Sequence, residues 1–375
     1  MASSLLKKLN AIAPAKPAAP SKPVRSGLIV RRHSVPAEQA LLAMDGARFH
    51  ALGFQTESAQ DCLFLDTETT GLSRGAGTVA FLVGLGYLDG NEFIVEQYLM
   101  RDYPDEIDLL NAVCSAAQRF RAIVTFNGAN FDLLLLNSRL TMHRMRGEMP
   151  ALENVDLLLP ARKLWKLRLK SCRLANLEEH ILGQPRTDDL PGSEVPGRYF
   201  EYLKTGNESL LTDVLEHNRE DVISLGKLMT VLAEAYYKPE EICEQIDLFS
   251  AGRVFESRGE KEQAKRLYTM ASAPRPLTSI SALHAERFAG HANRHLYQLY
   301  RREGNWSEAV RILETMVMRR QLGAYPHVEL AKYAEHKQRN LPEALLHAEK
   351  ALKLANDEEK AAIQKRCDRI IRKLR

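Results

Sequence analysis

The chain has 375 residues, 45% of them apolar and 27% charged, and a net charge of +4 at pH 7. That length is enough for two ordinary domains, and no apolar run approaches the ~18 residues that a membrane span needs. The five cysteines (Cys62, Cys114, Cys172, Cys243, Cys367) are far apart, odd in number and without a CxxC pair. This argues against a disulfide framework or a zinc site, and for a reducing, cytoplasmic setting. The mild basicity permits a nucleic-acid partner without demanding one.

Residues 1–26 carry Pro14, Pro17, Pro20 and Pro23 among Ala, Ser and Lys. They read as a flexible Pro/Ala/Lys tail without the apolar core of a secretory signal. Residues 27–60 read as an N-terminal extension packed on the domain after it. From residue 61 to 238 strand and helix signals alternate. "CLFLDTET" is a short apolar run with a polar end, and "TVAFLVGLGYLDGNEFIVEQYLM" is two strands turning at Asp89-Gly90-Asn91. "IDLLNAVCSAAQRF" has helical period, "AIVTFNG" is another strand, and "NFDLLLLNSRL" opens a helix. "SLLTDVLEHNREDVISLGKLMTVLAEAYY" is a long amphipathic helix. The pattern predicts a mixed α/β sheet flanked by helices.

Beyond Pro239, residues 239–375 read as helices only. Gly259, Ala264 and Tyr268 match Gly304, Ala309 and Leu313 in spacing, and Ala344 and Ala348 continue the theme. The step from Ala309 to Ala344 is 35 residues, while that from Ala264 to Ala309 is 45, which places an insertion around Pro274–Ile280. The period resembles tetratricopeptide repeats, at about 34 residues. An unrelated helical hairpin bundle is the alternative.

Two carboxylates stand out in "LFLDTETTGL". Side chains alternate along a strand, so Asp66 and Glu68 share a face near the strand's C-terminal end, where open α/β sheets bind ligands. Like charges so close call for cations, and hard oxygen ligands favour Mg²⁺ or Mn²⁺. A solvated strand end is the bland alternative. Asp132 follows a second strand, where it could equally be a helix cap. His217 and Asp221 are four apart on a helix, about 400° and 6 Å, and so share a face. Alone, that pair would be a structural hydrogen bond.

In that order, "DTETTGL", "FNGANFD" and "HNREDV" resemble the three motifs of the DEDD superfamily of DnaQ-like exonucleases, which have a ribonuclease-H-like fold. "AFLVGLGY", "LLLPARKLWKLRLKSCRLANLE" and the helical end narrow the resemblance to the bacterial ribonuclease-H-like group typified by YprB. The resemblance implies that Asp66, Glu68, Asp132 and Asp221 hold two divalent ions, Mg²⁺ or Mn²⁺, and that His217 is the general base. The superfamily's histidine branch places His five residues before the last Asp and its tyrosine branch places Tyr four before. This chain has histidine in the tyrosine register. Thr67 and Thr69 would lie by the site near the terminal nucleotide and Asn127 would support the second motif, all three on the nucleic-acid side.

"ARKLWKLRLKSCR" carries Arg162, Lys163, Lys166, Arg168, Lys170 and Arg173 around Trp165, with no acid. Cations take phosphates and an aromatic stacks on an unpaired base; a solvated helix face with a core tryptophan is the alternative. The leading expectation is a metal-dependent 3′→5′ exonuclease on single-stranded DNA or RNA ends. Two others stay open: a non-catalytic adaptor using its helical repeats for a protein partner, and a structure-specific endonuclease. No membrane partner is expected.

Overall fold

The computed structural model describes residues 27–71, 77–186, 190–274 and 280–375, with backbone alone for 280–285. The expected tail at 1–26, Leu72 of the first motif and the 275–279 part of the expected insertion lie outside the described residues.

The chain enters as β1 (Leu28–Pro36), whose exposed and half-buried residues alternate. Two short helices follow, α1 (Gln39–Leu42) and α2 (Gly46–Leu52). Then come β2 (Cys62–Thr69), β3 (Ala80–Asp89), β4 (Glu92–Met100), α3 (Glu106–Ala117), β5 (Ala122–Thr125), α4 (Asp132–Met142) and β6 (Glu153–Asp156). The sheet order is β1-β4-β3-β2-β5-β6. β2, β5 and β6 run parallel to one another, while β3, β4 and β1 join antiparallel. The expected hairpin joins β3 to β4 with Asp89 opposite Glu92, and Gly90 supplies the positive φ of +60° that its two-residue turn requires. The mixed sheet was expected; β1 and β6 are additions to the expected strands.

The remaining helices are α5 (Leu158–Leu169), α6 (Leu174–His180), α7 (Val195–Thr205), α8 (Thr212–Tyr237), α9 (Pro239–Ile242), α10 (Gln245–Ser257), α11 (Lys261–Ala271), α12 (Ile280–Arg302), α13 (Trp306–Met318), α14 (Tyr325–Tyr333), α15 (Leu341–Leu354) and α16 (Asp357–Leu374). Strand alternation divides the core. Leu63, Leu65 and Ile123 face α3 and α4, whereas Phe64 and Val124 face α8 and α5. The sheet therefore has helices on both faces.

The helix α8 can lie close to β3 because Gly84 and Gly86 have no side chains. A Cβ on Gly84 would sit 2.4 Å from Asn218 Oδ1, and one on Gly86 would sit 2.6 Å from Val222 Cγ1. Two residues along a strand and four along a helix both advance about 6 to 7 Å, so the glycine pair matches the Asn218/Val222 pair.

The second core face does not stop at the sheet. Phe64, Trp165, Tyr236, Phe249, Tyr268, Leu296 and Leu313 belong to one buried cluster that continues into the helices after Pro239. Arg168 Nε donates to Asp247 Oδ2 at 2.9 Å, and Arg258 donates to the carbonyls of Ala51 and Leu52 at 2.6 and 2.9 Å. The helical region repeats a local device. Gly304 (φ +77°), the capping Asn305 and the buried Ala309 recur 35 residues later as Arg339 (φ +57°), the capping Asn340 and the buried Ala344. Gly259 (φ +83°) and buried Ala264 stand in the same relation between α10 and α11.

Replacing Gly86 tests the close approach. Gly86→Ala should lower stability by about 1–3 kcal/mol, read by urea unfolding. An unchanged midpoint would mean that α8 is not held by that contact.

Candidate active site

The site is built where β2 ends, α4 begins and α8 passes over both. Asp66 and Glu68 point to the α8 side, as strand alternation expected. Asn218 Nδ2 of α8 donates to Asp66 Oδ2 at 2.9 Å. Glu68 Oε1 lies 3.8 Å from His217 Nε2, and Asp221 Oδ2 lies 3.8 Å from the same nitrogen. Thr67 points the other way and donates its hydroxyl to Asp132 Oδ1 at 2.6 Å. Asp132 is the first residue of α4, where the helix N-terminus favours a carboxylate.

Like charge and burial shape the acids. Asp66 is pushed well above the ordinary carboxylate range by burial and then by the charges of Asp221, Asp132 and Glu68, with Asn218 opposing. Burial also raises Asp132, against the hydrogen bond from Thr67. Burial raises Asp221 too, against the opposing charges of His217 and Arg186. The oxygen-only donor set suits a hard divalent ion. Among the described residues, no three of the acids and His217 close on one point as a finished metal set. Each aspartate is held instead by a neighbour: Asp66 by Asn218, Asp132 by Thr67, and Asp221 by Arg186.

Arg186 is the residue that motif reading missed. Its Nη2 donates both to Asp221 Oδ1 and, at 2.6 Å, to Glu178 Oε1. Its Nη1 lies 3.0 Å from His217 Nδ1. A guanidinium only donates, so Nδ1 accepts and the neutral imidazole carries its proton on Nε2. In this arrangement His217 presents a donor, not a base, to Glu68 and Asp221. Glu178, at 2% exposed, is a fifth acid of the group and more deeply buried than the other four; nothing local in "NLEEH" marks it as part of a site.

Two further groups set the frame. Gln97 Nε2 donates to Asn218 Oδ1 at 2.9 Å and to the Leu215 carbonyl at 2.8 Å. Asp66, Gly84 and Gln97 are neighbours across β2, β3 and β4, so Asn218 sits over the missing side chain of Gly84 and joins Gln97 to Asp66. At the end of β6, Asp156 accepts from the amides of Asn127 (2.8 Å), Ala129 (3.3 Å) and Leu158 (3.0 Å). It fixes the turn that delivers Asp132.

The expected contact residues divide. Asn127 adopts φ +69° and its Oδ1 accepts from Asn130 Nδ2 at 3.2 Å, which makes it part of that turn. Thr69 Oγ1 donates to the Gly71 carbonyl at 2.8 Å. Arg162, Lys163, Lys166, Lys170 and Arg173 are exposed. Arg168 is engaged by Asp247 and Glu244. Trp165 is 3% exposed and packs in the core, which corrects its expected stacking role, since its ring has no open face for a base. Glu216, in the position where the histidine branch would carry its base, is an ion-pair partner of Arg219 at the surface.

A family description for the RNase_H superfamily matches residues 63–233. The protein YprB of Bacillus subtilis (strain 168) is 31% identical over 313 residues, which cover 81% of this chain and 72% of that protein. Among solved structures, the family B DNA polymerase of the hyperthermophilic archaeon Pyrobaculum calidifontis shares 15% identity at a TM-score of 0.36, over 66% of this chain and 29% of that one. So distant a likeness carries no argument. Among the described residues no helix is long and apolar enough to cross a membrane. The chain therefore carries an RNase H superfamily domain over residues 63–233 and belongs to the family of YprB.

Proposed function

We propose that this protein is a divalent-metal-dependent nuclease of the DEDD type that removes nucleotides 3′→5′ from single-stranded DNA or RNA, with Mg²⁺ or Mn²⁺ as its two ions. The observation that carries this reading is the gathering of Asp66, Glu68, Asp132 and Asp221 with His217 at one end of the sheet, with three of the acids pushed above their ordinary range. Divalent ions, when bound, would supply charge neutralisation to these carboxylates and polarise water and phosphate. The chain's own residues do the rest. Asn218 and Gln97 hold Asp66, Thr67 holds Asp132, and the exposed cations of α5 gather phosphates.

His217 accepts the proton of the attacking water once Arg186 has withdrawn from Nδ1 and freed that nitrogen to carry the ring proton. Arg186 thus meets the charge of Asp221 where a divalent ion would otherwise be held. The helices after Pro239 are read as tetratricopeptide-like hairpins, and the five free thiols suit a cytoplasmic setting. One observation favours the adaptor reading: Arg186 already meets the charge of Asp221 without an ion.

The first test is degradation of 5′-labelled single-stranded DNA and RNA with Mg²⁺ or Mn²⁺. A shrinking ladder supports the exonuclease, a discrete fragment the endonuclease, and binding without cutting the adaptor. Asp66→Asn should abolish cutting, yet raise the melting temperature of the metal-free protein. The reason lies in the sign of the pKa shift. The folded state holds the Asp66 proton to higher pH than the unfolded state does, so stability falls as pH rises through that raised pKa. Asparagine removes the cost and still accepts from Asn218. A melting point that drops at neutral pH would contradict the buried-charge argument.

Arg186→Gln should act oppositely on stability. It leaves Asp221 and Glu178 without their cation, at a cost of about 3 kcal/mol or more, and added Mg²⁺ should restore part of it in thermal melts. His217→Ala should reduce the rate about 10² to 10⁴-fold with the fold retained. A near-normal rate would remove His217 from the proton transfer.

A further inference from the structure

Away from the acids, the helical region carries a second feature. Arg253 of α10 and Arg287 and Arg294 of α12 are exposed, and His291 lies half-buried among them. Aromatic rings interleave these cations. Arg253 lies 6.0 Å from the Phe249 ring centre, which is 5.7 Å from Phe288 and 6.3 Å from His291. Phe288 and His291 are 6.3 Å apart, and Arg294 lies over Tyr325 at 4.9 Å. Rings and cations thus alternate from α10 across α12 to α14.

The nearby acids are committed elsewhere. Glu256 pairs with His295 and Arg302, Glu286 with Arg319, and Glu329 with Arg301 and Lys332. Among the described residues, Arg253, Arg287 and Arg294 enter no ion pair. His291 is pushed down by burial first, and then by the charges of Arg287, Arg294 and His295.

This surface is joined to the catalytic end by α5. The helix starts beside the turn that delivers Asp132, where Asp156 holds the Leu158 amide. It ends with Arg168 docked on Glu244 and Asp247 at the start of α10. Arg253 follows about 12 Å along α10. The exposed cations of α5 lie between the two.

We infer that the face formed by Arg253, Arg287, His291 and Arg294 binds the single-stranded nucleic acid beyond the catalytic end, with phosphates on the arginines and bases against Phe288 and Tyr325. The inference rests on the nuclease reading and specifies its substrate path. Cations alone would suit an acidic peptide equally; the rings of Phe288 and Tyr325, partly buried beside them, add the aromatic surface that unpaired bases use.

The test uses the full chain and the triple variant Arg253→Gln, Arg287→Gln, Arg294→Gln, beside the matching triple Lys variant. Binding is measured by fluorescence anisotropy with Ca²⁺, on oligonucleotides of about 4 and about 16 nucleotides. The Gln variant should bind the longer strand about tenfold or more weakly, with a log–log salt slope smaller by about 2. Its hold on the short strand, its cutting of that strand with Mg²⁺ and its melting temperature should not change. The Lys variant should recover most of the affinity, since the contact is to phosphate.

Equal binding of the longer strand by wild type and Gln variant, with short-strand cutting intact, overturns the surface and leaves the nuclease reading standing. Failure of the wild type to bind or cut either strand overturns both. Arginine-dependent binding of polyglutamate in place of the longer strand assigns the surface to an acidic protein partner and also overturns the inference.

Discussion

Burying several carboxylates of one sign in one place is the constraint around which this molecule is organised. Three aspartates from β2, α4 and α8 are partly shielded from water and close enough for the charges of Asp132 and Asp221 to act on Asp66. Such a group is tolerable only if each acid is met by a donor or a cation. The chain supplies one to each: an amide to Asp66, a hydroxyl to Asp132 and a guanidinium to Asp221. A site arranged in this way keeps repulsion among its carboxylates, and on the proposed reading a divalent ion would relieve it.

That arrangement reaches into the sheet. Asn218 can hold Asp66 only if it lies flat over β3, and Gly84 provides the gap. Gln97 then fixes the amide of Asn218 from β4, 1% exposed and fully inside. A polar relay at that depth must have every member satisfied. The row Asp66–Gly84–Gln97 does so with one side chain removed and two paired. The "GLG" of β3 is therefore as much a part of the site as the acids.

What the sequence made legible depends on range. The two acids of β2 could be placed on one face because strand alternation is local, and His217 and Asp221 because helix periodicity is local. The hairpin at Gly90 was equally local. Arg186, Glu178 and Gln97 were hidden because each acts through a partner 8 to 121 residues away in the chain, with no spacing rule to announce it. β6 was too short, at four residues, for any period to show. β1 carries Arg31, Arg32 and His33 in its middle, and it is a strand because β4 offers it an edge, not because its residues demand one. In "ARKLWKLRLKSCR" composition spoke for a uniform basic stretch. The fold divided it, sending Trp165 and Arg168 inward to pack and pair, and leaving five cations outside.

That division explains why the nuclease-like sheet and the helical region work as one body. If α5 served only as a basic surface, it could sit anywhere on the sheet. Its buried side instead joins Phe64 and Val124 to Phe249 and Tyr268 in a single core, and Asp247 is raised to about 6 by the burial this docking imposes, against the pull of Arg168. Breaking the joint would leave a charge inside. The angle between the sheet and the first helical hairpin is thus fixed by the same helix whose outer face is basic. On the reading proposed above, a strand of phosphates lying along that face would have the acids of β2, α4 and α8 at one end and the arginine-lined helices at the other.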